Sequence, residues 1–183
     1  MKLIIVGPPG AGKGTQSNRI VKHSGLRWLS TGEVFRDNIS NGTDLGRAAK
    51  RYMDAGEFVP DNVTIPMVEG TLDAWGDNYL LDGYPRNLAQ AEALSSFLDY
   101  RQTQIDLVFN LHVETDTLVD RLLGRAKIEG RVDDTEPVIR HRLAVYLDQT
   151  KPVTDYYRGS GIVHDIDGNG TVDQVWDQIA AIL

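Results

Sequence analysis

The chain begins Met1-Lys-Leu-Ile-Ile-Val6-Gly7-Pro-Pro-Gly10-Ala11-Gly12-Lys13-Gly14-Thr15. An apolar run over residues 3–6 stops abruptly at a glycine-rich turn, and a helix-compatible segment follows. The order predicts strand, phosphate-binding loop, helix. Glycine suits this loop because backbone N–H groups must line a concave nest around phosphate oxygens, where a Cβ would obstruct them. The positive end of the following helix adds to the same spot, and Lys13 supplies a full charge for the outer phosphates. The spacing Gly7-x4-Gly12-Lys13 is regular for such loops. One residue departs from the general pattern. Gly14 follows the lysine where Ser or Thr commonly helps to hold Mg²⁺, and the hydroxyl comes one place later, at Thr15.

Working outward, strand-like runs recur at residues 28–30, 79–81, 106–113 and 162–166. Helical spacing lies between them. Leu45, Ala48, Ala49, Tyr52 and Met53 form one apolar stripe that ends near Gly56. Leu88, Ala91, Leu94 and Leu98 form another, with Asn87 as the expected N-cap. A third follows Thr115 or Asp116 as cap, and Thr135 is the expected cap of the next helix. The last opens with Thr171-Val-Asp-Gln174, a capping box. Pro66 interrupts an expected helix over about 61–72, so either Thr64 caps a later start or the helix is kinked. Strands alternating with helices predict an α/β fold with a parallel sheet covered on both faces. Ligands in such sheets sit at the carboxyl ends of the strands. Polar, glycine-containing segments do follow the strands, at residues 7–15, 30–32, 82–86 and 167–170.

The 183 residues suffice for one packed domain with a small insertion. Hydrophobic content of 41% and charged content of 25% are ordinary for a soluble globule. No apolar run approaches the length of a membrane span, and no secretory signal pattern is evident, so a cytoplasmic location is expected. The chain has no cysteine, which excludes disulfides and thiolate zinc sites. A net charge of −7 argues against nucleic-acid or membrane-surface partners. Any phosphate site must then come from local clustering of Arg and Lys, which gives their positions weight.

Three further stretches carry chemistry. Ser30-Thr31-Gly32-Glu33, with Arg36 a turn later, reads as a helix cap that also places an arginine beside a cleft. Asp82-Gly83-Tyr84-Pro85-Arg86 ends an apolar strand. The aspartate is suited to orienting the water shell of Mg²⁺, and the tight turn aims Arg86 back over the sheet. Arg121 and Arg125 share a helix face, Arg131 follows the short polar turn 126–130, and Arg140 and Arg142 lie on the next helix. Solvated faces explain many such runs. Here they flank a short segment able to fold over bound phosphates and exclude water, as phosphoryl transfer requires.

Taken together, residues 7–15, 30–32, 54–56, 82–86 with Gln90, and 120–125 resemble the motifs of adenylate kinases along nearly the whole chain. The resemblance implies ATP + AMP ⇌ 2 ADP with Mg²⁺, on a P-loop three-layer fold with a five-stranded parallel core. It implies one domain with a core over 1–29, 60–125 and 135–183. An AMP-binding insertion would cover about 30–59, and a short lid about 126–134. Gly10, Ala11, Gly12, Lys13, Gly14 and Thr15 would bind ATP phosphates, with Arg121 against the ATP adenine and Gly170 offering backbone to it. Thr31, Arg36, Glu57, Phe58, Val59, Gly83, Tyr84, Pro85, Arg86 and Gln90 would bind AMP. Arg125, Arg131 and Arg142 would clamp phosphates, with Lys13 and Arg86 completing the catalytic set, and Asp82 would hold the metal through water, joined by Thr15. Only five residues separate Arg125 from Arg131 and no cysteine lies there, which resembles the family's short-lid form and implies a monomer without zinc. Thr31 and Gln90 suit an adenine edge. The alternatives are a UMP/CMP kinase, or a P-loop NTP-hydrolysing switch, although no Asn-Lys-x-Asp guanine reader is present.

Overall fold

The computed structural model describes residues 1–129 and 135–183. Its sheet contains β1 (Lys2–Val6), β2 (Arg27–Ser30), β3 (Tyr79–Asp82), β4 (Leu107–His112) and β5 (Val163–Asp167). The order across the sheet is β2-β3-β1-β4-β5, with all neighbours parallel. The helices are α1 (Lys13–Ser24), α2 (Thr31–Ser40), α3 (Asp44–Ala55), α4 (Asp61–Trp75), α5 (Leu88–Tyr100), α6 (Thr115–Glu129), α7 (Glu136–Val145), α8 (Lys151–Arg158) and α9 (Val172–Ala180). A π-helical turn over Tyr146–Thr150 joins α7 to α8.

β1 is central and buried at every position, so its run of large aliphatic side chains serves both faces. Leu3 and Ile5 pack on one side with Ile20 of α1, Leu122 of α6, Leu143 of α7 and Ile179 of α9. Ile4 and Val6 point the other way, toward Leu72 of α4, Leu94 of α5 and Val153 of α8. A separate small cluster of Phe35, Ala49 and Val59, with Leu45, Tyr52 and Met53 against it, holds α2 and α3 together. The segment expected to be an insertion therefore has its own apolar centre.

Several local expectations hold. Asn87 caps α5 by accepting from the backbone N–H of Gln90 at 2.8 Å. Thr171 and Gln174 form the reciprocal capping box. Ser30 caps α2, with Glu33 N–H donating to its hydroxyl at 3.4 Å. Others are corrected. α6 begins at Thr115, so neither Thr115 nor Asp116 precedes it as cap; Leu118 N–H donates to the carbonyl of Glu114. Thr135 stands at the N-cap of α7, yet its side chain makes no capping hydrogen bond. The expected polar turn at 126–130 is helical through Glu129, because Ala, Lys, Ile and Glu offer no helix breaker before Gly130. Pro66 lies inside α4, which starts at Asp61. Thr64 does not cap it; its hydroxyl donates instead to the carbonyl of Val59 at 3.1 Å.

Candidate active site

The loop after β1 uses left-handed backbone at Gly10 (φ 85°) and Gly12 (φ 89°), the region glycine enters without steric cost. α1 starts at Lys13 with no side-chain cap, so its first N–H groups stay directed at the loop. The chain after β2 returns to the sheet through α4, and β3 then places Asp82 beside Ile5 of β1 and Ser30 of β2. Three non-adjacent loops thus meet at one carboxyl edge.

A cleft of about 970 Å³ runs along that edge. Residues 10–15, Asp82, Arg86, Arg121, Arg125, Arg142 and Gly170 all line it, as does Arg36. A narrower cleft continues from Lys13 past Arg36, Glu57, Phe58, Pro85, Arg86 and Arg142. Beyond it a small cleft is lined by Thr31, Phe58, Val59, Arg86 and Gln90. Of the residues named from the sequence, Arg131 lies outside the described residues. Tyr84 takes no part in these clefts. It is fully buried in the core, and its hydroxyl donates to the Gln90 carbonyl at 3.3 Å.

The arginines are positioned by specific contacts. Arg86 Nε donates to the Gly83 carbonyl at 2.7 Å, and its guanidinium lies 5.1 Å from the ring centre of Phe58. Gly83 has φ 77°, and a Cβ there would stand 2.8 Å from Arg86 Nη2 and 3.0 Å from Thr31 Oγ1. Only glycine admits that close approach. Thr31 Oγ1 donates to the Gly83 carbonyl at 2.8 Å, tying the start of α2 to the loop after β3. Gly56 serves α7 in the same way: a Cβ there would stand 2.9 Å from Arg142 Cγ and 3.0 Å from Val138 Cγ1. Glu57 and His141 are hydrogen-bonded beside that contact. Arg121 donates to the Gly168 carbonyl at 3.0 Å, in the loop after β5.

Electrostatically the site is a cationic pocket in an acidic protein. Burial lowers the Lys13 ammonium to about 8, with Asp82 opposing and the charges of Arg86, Arg142 and Arg125 adding to the fall. Burial likewise lowers Arg86 to about 10, with Arg142 contributing. Burial raises the Asp82 carboxyl above its ordinary value, while Lys13, Arg86 and a 3.3 Å hydrogen bond from Ser17 oppose it. Cations held this close to one another are stabilised by polyanions, and phosphates fit.

Asp82 and Thr15 also suit Mg²⁺. That ion prefers one or two carboxylates plus waters and substrate phosphates to an all-protein cage. Among the described residues no group of three or more His, Cys, Asp or Glu gathers as a metal cage. Asp82, one buried carboxylate lining the larger cleft, is a donor of that kind.

Some contributors were not apparent from the chain. Ser17 on α1 reaches Asp82, and Thr150 donates to the Arg86 carbonyl at 2.8 Å from the π-helical turn. Ser17 sits four places after Lys13, so helical spacing did hold a signal for it. Thr150 lies 64 residues from its partner, and nothing local announces it.

A central strand, a glycine-rich loop over a helix N-terminus and converging arginines define a P-loop nucleotide-binding α/β protein of the phosphoryl-transfer type. The family model described as adenylate kinase matches residues 5–162. The chain is 51% identical over 186 residues to an adenylate kinase of Nocardioides sp., covering all of this chain and 97% of that one. It is 51% identical over 185 residues to an adenylate kinase of Kocuria rhizophila, covering 98% of it, and 46% identical to one of Mycobacteroides abscessus, covering 99%. The chain belongs to the adenylate kinase family, which is a family of nucleoside-monophosphate kinases.

Proposed function

We propose that the protein catalyses ATP + AMP ⇌ 2 ADP, with Mg²⁺ accompanying ATP. The observation that carries this is a row of three clefts that share lining residues. It joins the residue 10–15 loop to Arg36, Arg86 and Arg142, and then to the small cleft at Thr31 and Gln90. ATP lies along the loop, with Arg121 and the backbone near Gly170 beside its base. AMP lies on the far side, between Arg36, Arg86 and the segment Glu57, Phe58, Val59. Asp82, through water, and Thr15 would hold Mg²⁺ accompanying ATP, which would neutralise phosphate charge there.

An oxygen of the AMP phosphate attacks the terminal phosphorus of ATP. The bond from that phosphorus to the oxygen bridging it to ADP breaks, and the electron pair leaves with that oxygen. No general base is needed, because the attacking oxygen is already anionic at neutral pH. Lys13, Arg86, Arg125 and Arg142 hold both phosphate chains in line and stabilise charge on the migrating group. The family resemblance adds Arg131 to this clamp. The four histidines are not required. The AMP-binding insertion covers about 30–59 and the lid about 126–134, within one domain. The enzyme acts as a cytoplasmic monomer without zinc. The absence of cysteine suits a reducing compartment. Among the described residues no helix is long and apolar enough to cross a membrane.

The test is ADP formation from ATP-Mg²⁺ offered with AMP, UMP, CMP or GMP, each against a control without acceptor. Rapid turnover with AMP alone is expected. Turnover with UMP or CMP instead, or ADP release that no acceptor stimulates, would overturn the reading.

A further inference from the structure

The side chain of Gln90 is 1% exposed, and its amide is held from two sides. Oε1 accepts from the backbone N–H of Arg86 at 2.8 Å. Nε2 donates to Oδ1 of Asp61 at 2.6 Å. Asp61 is the first residue of α4, and its two carboxylate oxygens each accept from Asn87 Nδ2 at 3.1 Å. Asn87 in turn accepts from the Gln90 backbone N–H at 2.8 Å. The α4 start and the α5 start are thus joined through Asn87 and Gln90.

A glutamine amide has two nearly isosteric ends, and only its partners decide which is oxygen and which is nitrogen. Here the partners are unambiguous. A backbone N–H only donates, and an ionised carboxylate only accepts. Reversing the Gln90 amide would set its NH₂ against the Arg86 N–H and its oxygen against the Asp61 carboxylate. One Oε1 lone pair and one Nε2 hydrogen remain for other partners, and Gln90 lines the small cleft.

The sense of that amide has chemical meaning. A 6-aminopurine offers an amino donor next to an N1 acceptor. A 6-oxopurine offers an acceptor next to an N1–H donor, the opposite order. One amide orientation fits the first, and the reversed orientation fits the second in the same pose. We propose that Asp61 is a positioning residue for base choice: it locks the Gln90 amide in the sense that accepts a 6-aminopurine monophosphate and rejects a 6-oxopurine one. This rests on the reading that the Thr31–Gln90 cleft takes the base of the phosphoryl acceptor. Asp61 acts through Gln90 and touches no reacting atom.

The test compares AMP with IMP, purine monophosphates that differ at the N1–C6 edge of the base. kcat and KM are measured for each acceptor, and KM for ATP, in wild type, Asp61→Ala, Asp61→Ser and Asp61→Asn. Serine keeps a helix-start side chain, and its hydroxyl donates or accepts equally, so it imposes no sense on Gln90. In the Ala and Ser variants KM for AMP rises about tenfold, and the AMP-over-IMP ratio of kcat/KM falls by at least about tenfold, the worth of one charge-assisted hydrogen bond. kcat with AMP and KM for ATP stay near wild type. The Asp61→Asn variant carries an amide that can present either end to Gln90, so it too imposes no fixed sense and its ratio falls with the others. A folded Ala or Ser variant that keeps the wild-type AMP-over-IMP ratio overturns the proposal. So does a parallel loss of kcat and rise in ATP KM at an unchanged ratio, which marks a structural role. Should Asp61→Ala fail to fold, Asp61→Ser decides alone. A wild-type enzyme that does not phosphorylate AMP overturns the underlying reading instead, whatever the variants do.

Discussion

Lys13 Nζ donates a 2.7 Å hydrogen bond to the carbonyl of Gly7, six residues earlier in the same loop, and a second of 2.9 Å to Pro8. The lysine is therefore held over the loop it belongs to, at the point where three arginine charges and Asp82 act on it. Its ammonium is preorganised for an anion at that spot, and burial makes its charge easier to lose.

Because burial lowers Lys13 to about 8, kcat/KM for ATP should fall on the alkaline side with an apparent midpoint near that pH. An alkaline limb above about pH 10, where an ordinary lysine titrates, would count against Lys13 as the cation that binds ATP. Stability moves the other way. Between the folded value near 8 and the unfolded value near 10.4 the unfolded chain binds more protons, so stability rises with pH across that window. The cost of the buried charge is fully present below pH 8. Urea unfolding of wild type and Lys13→Met across pH 7 to 10 should show their difference shifting in favour of wild type as pH rises.

Lys13→Met should lower kcat by about 10²- to 10³-fold or more, as when one preorganised donor to a migrating charge is removed. Single-turnover assays at saturating ATP would separate this from weaker binding. Turnover like that of wild type would remove Lys13 from the transfer step.

Thr31 Oγ1 sits between the Gly83 carbonyl and Arg86 Nη2, at 2.8 and 3.4 Å, at the edge of the small cleft. Thr31→Ala should relax the preference for AMP over UMP and CMP by roughly tenfold, the worth of one hydrogen bond in a desolvated site. Competition assays with mixed acceptors give the ratio directly. A variant that keeps full AMP preference would show that Thr31 does not read the base.

Thr150→Val should destabilise the fold by about 1–3 kcal/mol, because it removes the donor to the buried side of the Arg86 carbonyl and leaves an acceptor unpaired. It should also raise KM for AMP more than KM for ATP, since Arg86 lines both the narrower and the small cleft as well as the larger one. Equal effects on both substrates would mean that the π-helical turn supports the sheet edge as a whole.

Gly46 lies in the first turn of α3, and a Cβ there would stand 2.1 Å from the Asn38 carbonyl oxygen of α2. Glycine here is a packing requirement, and Gly46→Ala should cost about 1–3 kcal/mol by overpacking. In a chain of 183 residues that corresponds to roughly 2–4 °C of Tm per kcal/mol, readable by calorimetry. An unchanged Tm would show that α2 and α3 separate without penalty.

The sequence by itself determined the strand–loop–helix start, the five strands to within a residue or two at each end, and the caps at Asn87 and Thr171. These are local: apolar alternation, glycine backbone freedom and side-chain capping act over a few residues, so their signals stay within reach of one another along the chain. It also indicated that the segments after four of the strands would converge, because a parallel sheet brings its strand ends to one edge. Only the tertiary structure decided what those segments touch. Asp61 meets Gln90 across 29 positions, Thr150 meets Arg86 across 64, and Gly46 packs on the Asn38 carbonyl, while Tyr84 turns from the site into the core. α6 continued past Arg125 where a turn was expected, since helix propensity without a breaker outlasts a polar composition. Contacts of this kind depend on the angles at which helices return to the sheet. Packing of many side chains sets those angles together, and no single stretch of residues encodes them.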